Sequence, residues 1–411
     1  MPTVPNLSVS QQLLKRARNV IPQGIWGHNR FPSTLDPSHY PHFAQRGIGA
    51  TFIDVDGNEY IDWICGYGAI ILGHNDAEVD RAAIDARSRG GCLSLATETT
   101  IELAERLTAL IQGASWCAFG KSGSDATWIA LTIARAYTSQ PGVVCIDGAY
   151  QGSHGWCEWC NFGSGRLTQD ATAVVTIPWG DTASLETVLG RAEPQISAVI
   201  VTPFHHPIPG PAAMPPPGYL DQVTELAHRY GALMILDDVR AGFRLDLNGS
   251  HLRLGGEPDL ICFSKAIANG HPLAAVTGSR RLKDAADSVF IAGTFWNAPD
   301  AMAAALVTLD SLERQNVISH ITNVGQLLAD GIEQIGKLNS VPLRVTGPPQ
   351  MPTVTIDGDD DGIKMMALCR YLVSNGIFVH PSHNWFVSNS HTTEHVARTI
   401  EFIESGLKQG R

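Results

Sequence analysis

The sequence has no apolar stretch long enough to cross a bilayer, and its start, Met1-Pro2-Thr3-Val4-Pro5, lacks the charged residues and apolar core of an export signal. Charged residues make up only 17% of the 411 positions, and the net charge of -11 is spread without long runs of one sign. That distribution argues against nucleic acid or an anionic membrane as a partner. No Gly-x-Gly-x-x-Gly follows a strand-like run, which disfavours a nicotinamide-dependent fold. The 8 cysteines are scattered, and only Cys157-Glu-Trp-Cys160 has metal-like spacing, with no second pair or nearby histidines beside it. No metal is therefore expected, and the expected setting is the reducing cytoplasm. Internal repeats and low-complexity segments are also missing. What is present is a 44% hydrophobic chain that can bury a large core, divided into one big and one smaller domain.

From about residue 100 to 280, strand-like runs alternate with helical periodicity. Val143 to Ile146, Ala198 to Val201, Ala232 to Leu236, Leu260 to Phe263 and Ala274 to Thr277 are short, apolar and partly β-branched, as inner strands of a mostly parallel sheet are. Leu220, Val223, Leu226, Ala227 and Tyr230 recur at helical spacing between the second and third of them, which satisfies a βαβ pattern. Pro207 to Gly218 reads as a connector. Residues 47 to 62 suggest a hairpin with its turn at Asp56-Gly57, and 300 to 337 carry one long helical pattern. The fold class is α/β, with the chain ends forming the smaller domain.

Two of these runs end on reactive side chains. Ala232 to Leu236 leads into Asp237-Asp238-Val239, and Leu260 to Phe263 leads into Ser264-Lys265. Strand ends of an open α/β sheet face the ligand crevice, where an acid and an amine can hold an aromatic aldehyde between them. The cofactor this implies is pyridoxal 5′-phosphate (PLP). Lys265 would form a Schiff base with the aldehyde, and Asp237 would keep the pyridine nitrogen protonated. A charge pair at about 4 Å is worth on the order of 4 kcal/mol at an effective dielectric of about 20. That is roughly three pK units, enough to hold a pyridinium protonated at neutral pH.

A phosphate site lies upstream. Lys121-Ser-Gly-Ser-Asp125 precedes a helical pattern with Ala126, Ile129, Ala130, Ile133, Ala134 and Tyr137 on one face. Gly123 and Ser124 thus stand at a helix N-terminus, where free N–H groups and the dipole favour an anion. Tyr150, just past the strand Val143 to Ile146, can stack on a cofactor ring.

These residues carry a resemblance to the class III, fold-type I aminotransferases, in the branch that includes glutamate-1-semialdehyde aminomutase. It runs from Pro22 to His391 through Phe52-Ile-Asp-Val-Asp-Gly-Asn-Glu-Tyr60, Ile71-Leu-Gly-His74, Ser122-Gly-Ser-Asp-Ala126, Asp237-Asp-Val239, Gly242-Phe-Arg244, Lys265 and Gly293-Thr294. The resemblance implies a large PLP-binding domain, with a mostly parallel seven-stranded sheet flanked by helices, over 71–300. A smaller α+β domain would come from both chain ends, 1–70 and 301–411. It also implies that Lys265 is the Schiff-base lysine, Asp237 the pyridinium partner and Tyr150 the stacking aromatic. Gly123 and Ser124 match the phosphate-cradling amides, Val239 the residue on the other ring face, and Thr294 the residue reaching the phosphate of a neighbouring subunit. A homodimer with its site at the interface follows.

Departures from the aminomutase pattern bear on substrate. Gln151, Asp238 and Thr202 replace a usual His, Glu and Glu, and Pro381 to His391 is shorter and lacks an acidic residue. The motifs agree more closely with fumonisin-type amine transaminases, as in Asp237-Asp-Val-Arg-Ala-Gly-Phe-Arg244 and Phe295-Trp296. The expected reaction is ping-pong transfer of an amino group from an amine or amino-acid-like donor to a keto acid, pyruvate or 2-oxoglutarate. A carboxylate favours a bidentate partner, with Arg30 the first candidate and Arg240 the second. Trp26, Tyr67, Trp156 and Trp296 are candidate pocket walls. A PLP-dependent aminomutase or epimerase, and a non-catalytic PLP-binding protein, are the alternatives.

Overall fold

The computed structural model describes residues 5–25, 35–159 and 172–409. They divide into two compact units: a terminal unit of 1–76, 208–211 and 319–411, and a sheet unit of 77–207 and 212–318. Trp26 and Arg30 lie outside the described residues.

In the terminal unit, strands β1 (Ala44–Ile48), β2 (Thr51–Asp54) and β3 (Glu59–Asp62) form an antiparallel meander. The turn predicted at Asp56-Gly57 joins β2 to β3. Asp54 Oδ1 accepts the N–H groups of Asp56 and Asn58, and Gly57 takes the left-handed φ of +88° that the reversal requires. Asp56 has a second use. The helix Ser8–Ala17 starts at Leu7, which has no side-chain acceptor, and the Asp56 carboxylate accepts from Val9 N (2.7 Å) and Ser10 N (2.8 Å) instead. An anion at this end also suits the helix dipole.

The sheet unit is built from β4 (Trp116–Gly120), β5 (Gly142–Ile146), β6 (Val174–Ile177), β7 (Ile196–Val201), β8 (Leu233–Asp237), β9 (Leu260–Phe263) and β10 (Ala274–Gly278). They form one seven-stranded sheet in the order β4-β10-β9-β8-β7-β5-β6. It is mostly parallel, with β10 antiparallel to both neighbours. Every residue of β5, β7, β8, β9 and β10 is buried, which is why those segments read as unbroken apolar runs. The two edge strands, β4 and β6, escape the sequence reading. They are mostly half-buried and carry a mixed pattern, since one side of an edge strand has no neighbour. The predicted helix after β7 is Tyr219–Arg229, which buries Leu220, Val223, Leu226 and Ala227 and leaves Tyr230 outside.

The pattern over 300–337 is two helices, Pro299–Arg314 and Val317–Leu338, rather than one. Asn316 between them takes a left-handed φ of +50°, a conformation Asn tolerates better than most residues. The chain returns to the terminal unit within the second of these helices and then adds β11 (Leu343–Thr346), paired with β12 (Thr353–Ile356), and β13 (Ile377–Phe378). β13 pairs in parallel with β3, so residues from both chain ends share one sheet. Trp63, fully buried after β3, donates from Nε1 to Thr399 Oγ1 (2.9 Å) and stacks on His391 at 4.1 Å.

Asp56→Ala should cost about 1 kcal/mol, the usual worth of a helix N-cap, and should speed amide exchange at Val9 and Ser10. Unchanged protection at both would show that the first turn is held by something else.

Candidate active site

Asp237 is the last residue of β8, and in the register of β8 and β9 it stands opposite Cys262. Three residues on, Lys265 opens a short 3-10 turn, Lys265–Ala268, with a φ of +48°. A lysine in the left-handed region is an uncommon, costly conformation of the kind that concentrates at functional sites. Ser264 anchors the approach by donating from Oγ to Leu273 O (2.8 Å).

Asp237 is 5% exposed and accepts the Val239 N–H on Oδ1 at 3.2 Å. Burial pushes its carboxyl up to about 6, against the pull of the Val239 N–H and of the Lys265 and Arg240 charges. Burial and the Arg240 charge push the Lys265 amine down to about 7, with Asp237 pulling the other way. Asp238 turns elsewhere. It accepts Ser250 Oγ (2.6 Å) and Ser250 N (3.0 Å), and burial raises its carboxyl to about 7.

The helix Gly123–Thr138 is fixed by its buried face, Ala126, Ile129, Ala130, Ile133 and Ala134, while Tyr137 is exposed. Its N-terminus is a reciprocal capping box. Asp125 N–H donates to Ser122 Oγ, and Asp125 Oδ2 accepts from Ser122 N (2.8 Å) and Lys121 N (2.9 Å). The box does not use the Gly123 and Ser124 N–H groups, which stand at the positive end of the helix. A Cβ at Gly123 would come within 2.7 Å of Val239 Cγ1, so the helix start closes directly onto the loop that follows Asp237. From the other side Gly152, at φ +117°, leaves no room for a Cβ beside Ser124, and Ser153 N donates to Ser124 Oγ at 3.0 Å.

Arg240 is 6% exposed and interacts electrostatically with Asp237 and Tyr150. Burial lowers its guanidinium to about 10, and burial also raises the Tyr150 phenol. Asp237, Val239, Arg240, Tyr150, Lys265, Gly123 and Ser124 thus belong to one neighbourhood of the sheet unit. A planar anion-bearing ring fits its parts: two N–H donors at a helix start, a buried carboxylate, an amine, and side chains of Tyr and Val. Thr294 is on an exposed turn, its carbonyl accepting from the Cys92 thiol. Trp156 and Trp296 line a cavity of about 500 Å³ with Trp128, Asp125 and His154, and its lining includes neither Lys265 nor Asp237. Tyr67 belongs to the terminal unit. It lies in a left-handed turn, Cys65 to Gly68, with its ring edge-on to His383 at 5.2 Å.

Sequence reasoning assigned no role to three contributors. Gly152 and Ser153 brace Ser124, and their one signal is a glycine two residues after Tyr150. Arg244, fully buried, adds a positive charge near Lys265. Among the described residues, no cluster of His, Cys, Asp and Glu is placed to hold a metal ion, and no helix is long and apolar enough to cross a membrane.

Known proteins are similar to this chain along nearly its whole length. It is 35% identical over 412 residues to the 3-aminobutyryl-CoA aminotransferase of Cloacimonas acidaminovorans (strain Evry), covering 98% of this chain and 97% of that one. It is also 35% identical over 394 residues to the aminopentol aminotransferase of Sphingopyxis macrogoltabida, covering 95% and 92%. The FumI protein of Sphingopyxis sp. MTA144, solved in a PLP form, superimposes with a TM-score of 0.94 at 34% identity, over 98% of this chain and 96% of that one. With the family model for class-III aminotransferases matching residues 34–404, and with an amine and a carboxylate side by side at the ends of β8 and β9, the chain belongs to the class III aminotransferases.

Proposed function

We propose that this aminotransferase uses PLP to move an amino group from an amine that is not an α-amino acid to a keto acid, by a ping-pong cycle in one site. The observation that carries the reading is the pair of buried Asp237 and half-buried Lys265 at neighbouring strand ends, beside the helix start at Gly123 and Ser124. When bound there, PLP supplies an aldehyde carbon that captures amines and a protonated ring that accepts the electron pair of a breaking C–H bond. Lys265 would hold it through the side-chain amine and Asp237 would face the ring nitrogen. Gly123 and Ser124 would take its phosphate, with Tyr150 and Val239 against the two ring faces.

The protein's own part is proton management. An amine poised near pH 7 both gives up and takes back a proton readily, which suits Lys265 as the general base and acid at the substrate carbon. Asp237 needs its negative charge to hold the ring nitrogen protonated. Burial opposes that charge, and the Val239 N–H and nearby cations favour it.

The substrate class rests on the relatives. Aminopentol and 3-aminobutyryl-CoA, from which two of them take their names, are both amines whose amino group is not on an α-amino-acid carbon. The acceptor in this reading is pyruvate or 2-oxoglutarate, its carboxylate held by Arg30. Arg240, buried beside Asp237 and Tyr150, is better placed to act on the cofactor side. A homodimer completes the reading, with Thr294 reaching the partner's site. Phe290 (93% exposed), Phe295 (63%) and Leu95 (79%) support it, since Phe290 and Phe295 flank Thr294 and Leu95 closely follows its partner Cys92. Apolar side chains this bare call for a cover.

Lys265→Ala should bind PLP weakly and lose turnover with every amine donor; steady-state activity near that of the wild type would remove Lys265 from the reaction. The sign of the pH effect follows from the amine. Below about 7 the folded protein holds Lys265 protonated and above it uncharged, and only the uncharged amine attacks an aldehyde. PLP uptake by the stripped protein, followed by visible absorbance, should therefore quicken about tenfold per unit as pH rises toward 7, then level off. A rate still climbing toward pH 10 would mean an ordinary lysine. Light scattering should give twice the chain mass, and Phe290→Asp should shift the population toward the single chain; a wild-type protein that runs as a single chain removes Thr294 from the site.

A further inference from the structure

We propose that the terminal unit carries a binding site for a small apolar alcohol, in a cavity where His74 offers a ring nitrogen to the hydroxyl group. The inference goes beyond the transamination reading and does not depend on Lys265 or on the cofactor.

The cavity, of about 390 Å³, is lined by residues of the terminal unit alone. That size suits a small molecule. Phe43, Phe52 and Phe378 form its apolar wall, with the rings of Phe52 and Phe378 packed edge to face at 5.0 Å. All three stop half-buried, so each keeps apolar surface that a ligand could cover.

His74 closes the Ile71-Leu-Gly-His74 motif, and it is held firmly. Its backbone exchanges two hydrogen bonds with Gly49 (2.8 and 2.9 Å), and its Nε2 donates to Asp62 Oδ2 at 2.8 Å. Asp62 is 5% exposed and is itself fixed, accepting Ile64 N (2.8 Å) and Cys65 N (3.0 Å) on Oδ1. A carboxylate oxygen only accepts, so the ring hydrogen lies on Nε2 and Nδ1 of the uncharged ring keeps a lone pair. Among the described residues Nδ1 has no partner, and 23% of the His74 side chain is exposed. Gly47, which also lines the cavity, borders this edge of the ring: a Cβ there would stand 2.7 Å from His74 Cγ and 3.0 Å from Nδ1. Only a glycine leaves that edge uncovered.

His42 lines the same cavity and adds a second acceptor. Its Nδ1 donates to Tyr40 O at 3.0 Å, which leaves Nε2 with the lone pair, and burial disfavours its charged form. Two imidazole acceptors and an apolar wall call for a ligand that donates hydrogen bonds and is otherwise apolar. Charge decides between an ammonium and a hydroxyl. Asp62 already accepts three hydrogen bonds, and Arg46 lines the cavity with no ion pair among the described residues. A cation would be repelled by that guanidinium, whereas a neutral hydroxyl would not.

The test is fluorine NMR of two ligands, 4-fluorobenzyl alcohol and 4-fluorotoluene, which differ by the hydroxyl group. They are titrated with the full-length protein as purified, at about pH 8, above the ordinary histidine value of about 6.5. His74→Gln removes Nδ1 while its amide can still donate to Asp62, so a merely structural role of His74 is preserved. In that variant the alcohol should bind about tenfold more weakly, with 4-fluorotoluene within about twofold of the wild type. An unaffected alcohol, or a toluene weakened as much as the alcohol, overturns the proposal. So does a wild-type protein that takes up no alcohol at about 10 mM, a concentration ample for a ligand of this size. Tighter binding of 4-fluorobenzoate than of the alcohol, lost in Arg46→Gln, would make the cavity an acid site and also overturn it. Should His74→Gln misfold, judged by circular dichroism, wild-type crystals soaked with the alcohol decide. A hydroxyl oxygen within about 3 Å of His74 Nδ1 supports the site, and an alcohol bound elsewhere overturns it. No step uses turnover, so failure here leaves the transamination reading standing.

Discussion

Placing an amine, two carboxylates and two guanidinium groups at the ends of adjacent buried strands is expensive, because each ion leaves water at a cost of several kcal/mol unless its charge is matched. The sheet unit is arranged around that cost. β8 and β9 are buried along their whole length, so their ends are rigid and the ionic groups cannot escape by local fraying. Matching is then achieved group by group: the Val239 N–H on Asp237, Ser250 on Asp238, and the charge of Arg240 toward Asp237. The burial that these partners do not offset is expressed as shifted acidity, with the carboxyl of Asp237 up and the amine of Lys265 down.

The helix Gly123–Thr138 shows the complementary strategy, in which polar groups are satisfied selectively. Asp125 closes the capping box on Ser122 and Lys121, and the box does not use the donors of Gly123 and Ser124. The contact is tight enough that Gly123 against Val239, and Gly152 against Ser124, are close approaches that a larger side chain would disrupt. Shape and charge are therefore set by the same few backbone positions, and an anion bound at the helix start would touch the loop that carries the ionic cluster.

The terminal unit applies the close-approach principle elsewhere. Gly68, at φ +90°, sits so near Phe386 that a Cβ would fall within 2.5 Å of the ring, next to Tyr67 in the same left-handed turn. The parallel pairing of β3 with β13 and the bond from Trp63 to Thr399 join segments more than three hundred residues apart in sequence.

The division between what was legible in the sequence and what was not follows from the range of the forces involved. Interior strands, the Asp56-Gly57 turn, the helix at Gly123, and the position of Asp237 and Lys265 at strand ends are set by neighbours within a few residues, through apolar runs, turn chemistry and helical spacing. The half-buried edge strands β4 and β6, and the break at Asn316 that splits one helical pattern in two, depend on what lies beside the chain rather than along it. The same holds for Asp56 capping a helix nearly fifty residues away and for Gly152 bracing Ser124. It holds most of all for the acidity of Lys265. The sequence by itself determined that an amine and an acid would end strands; only the tertiary structure decided that those strands are neighbours and which charges surround them, because burial and Coulomb interaction depend on distance through space and not on separation along the chain.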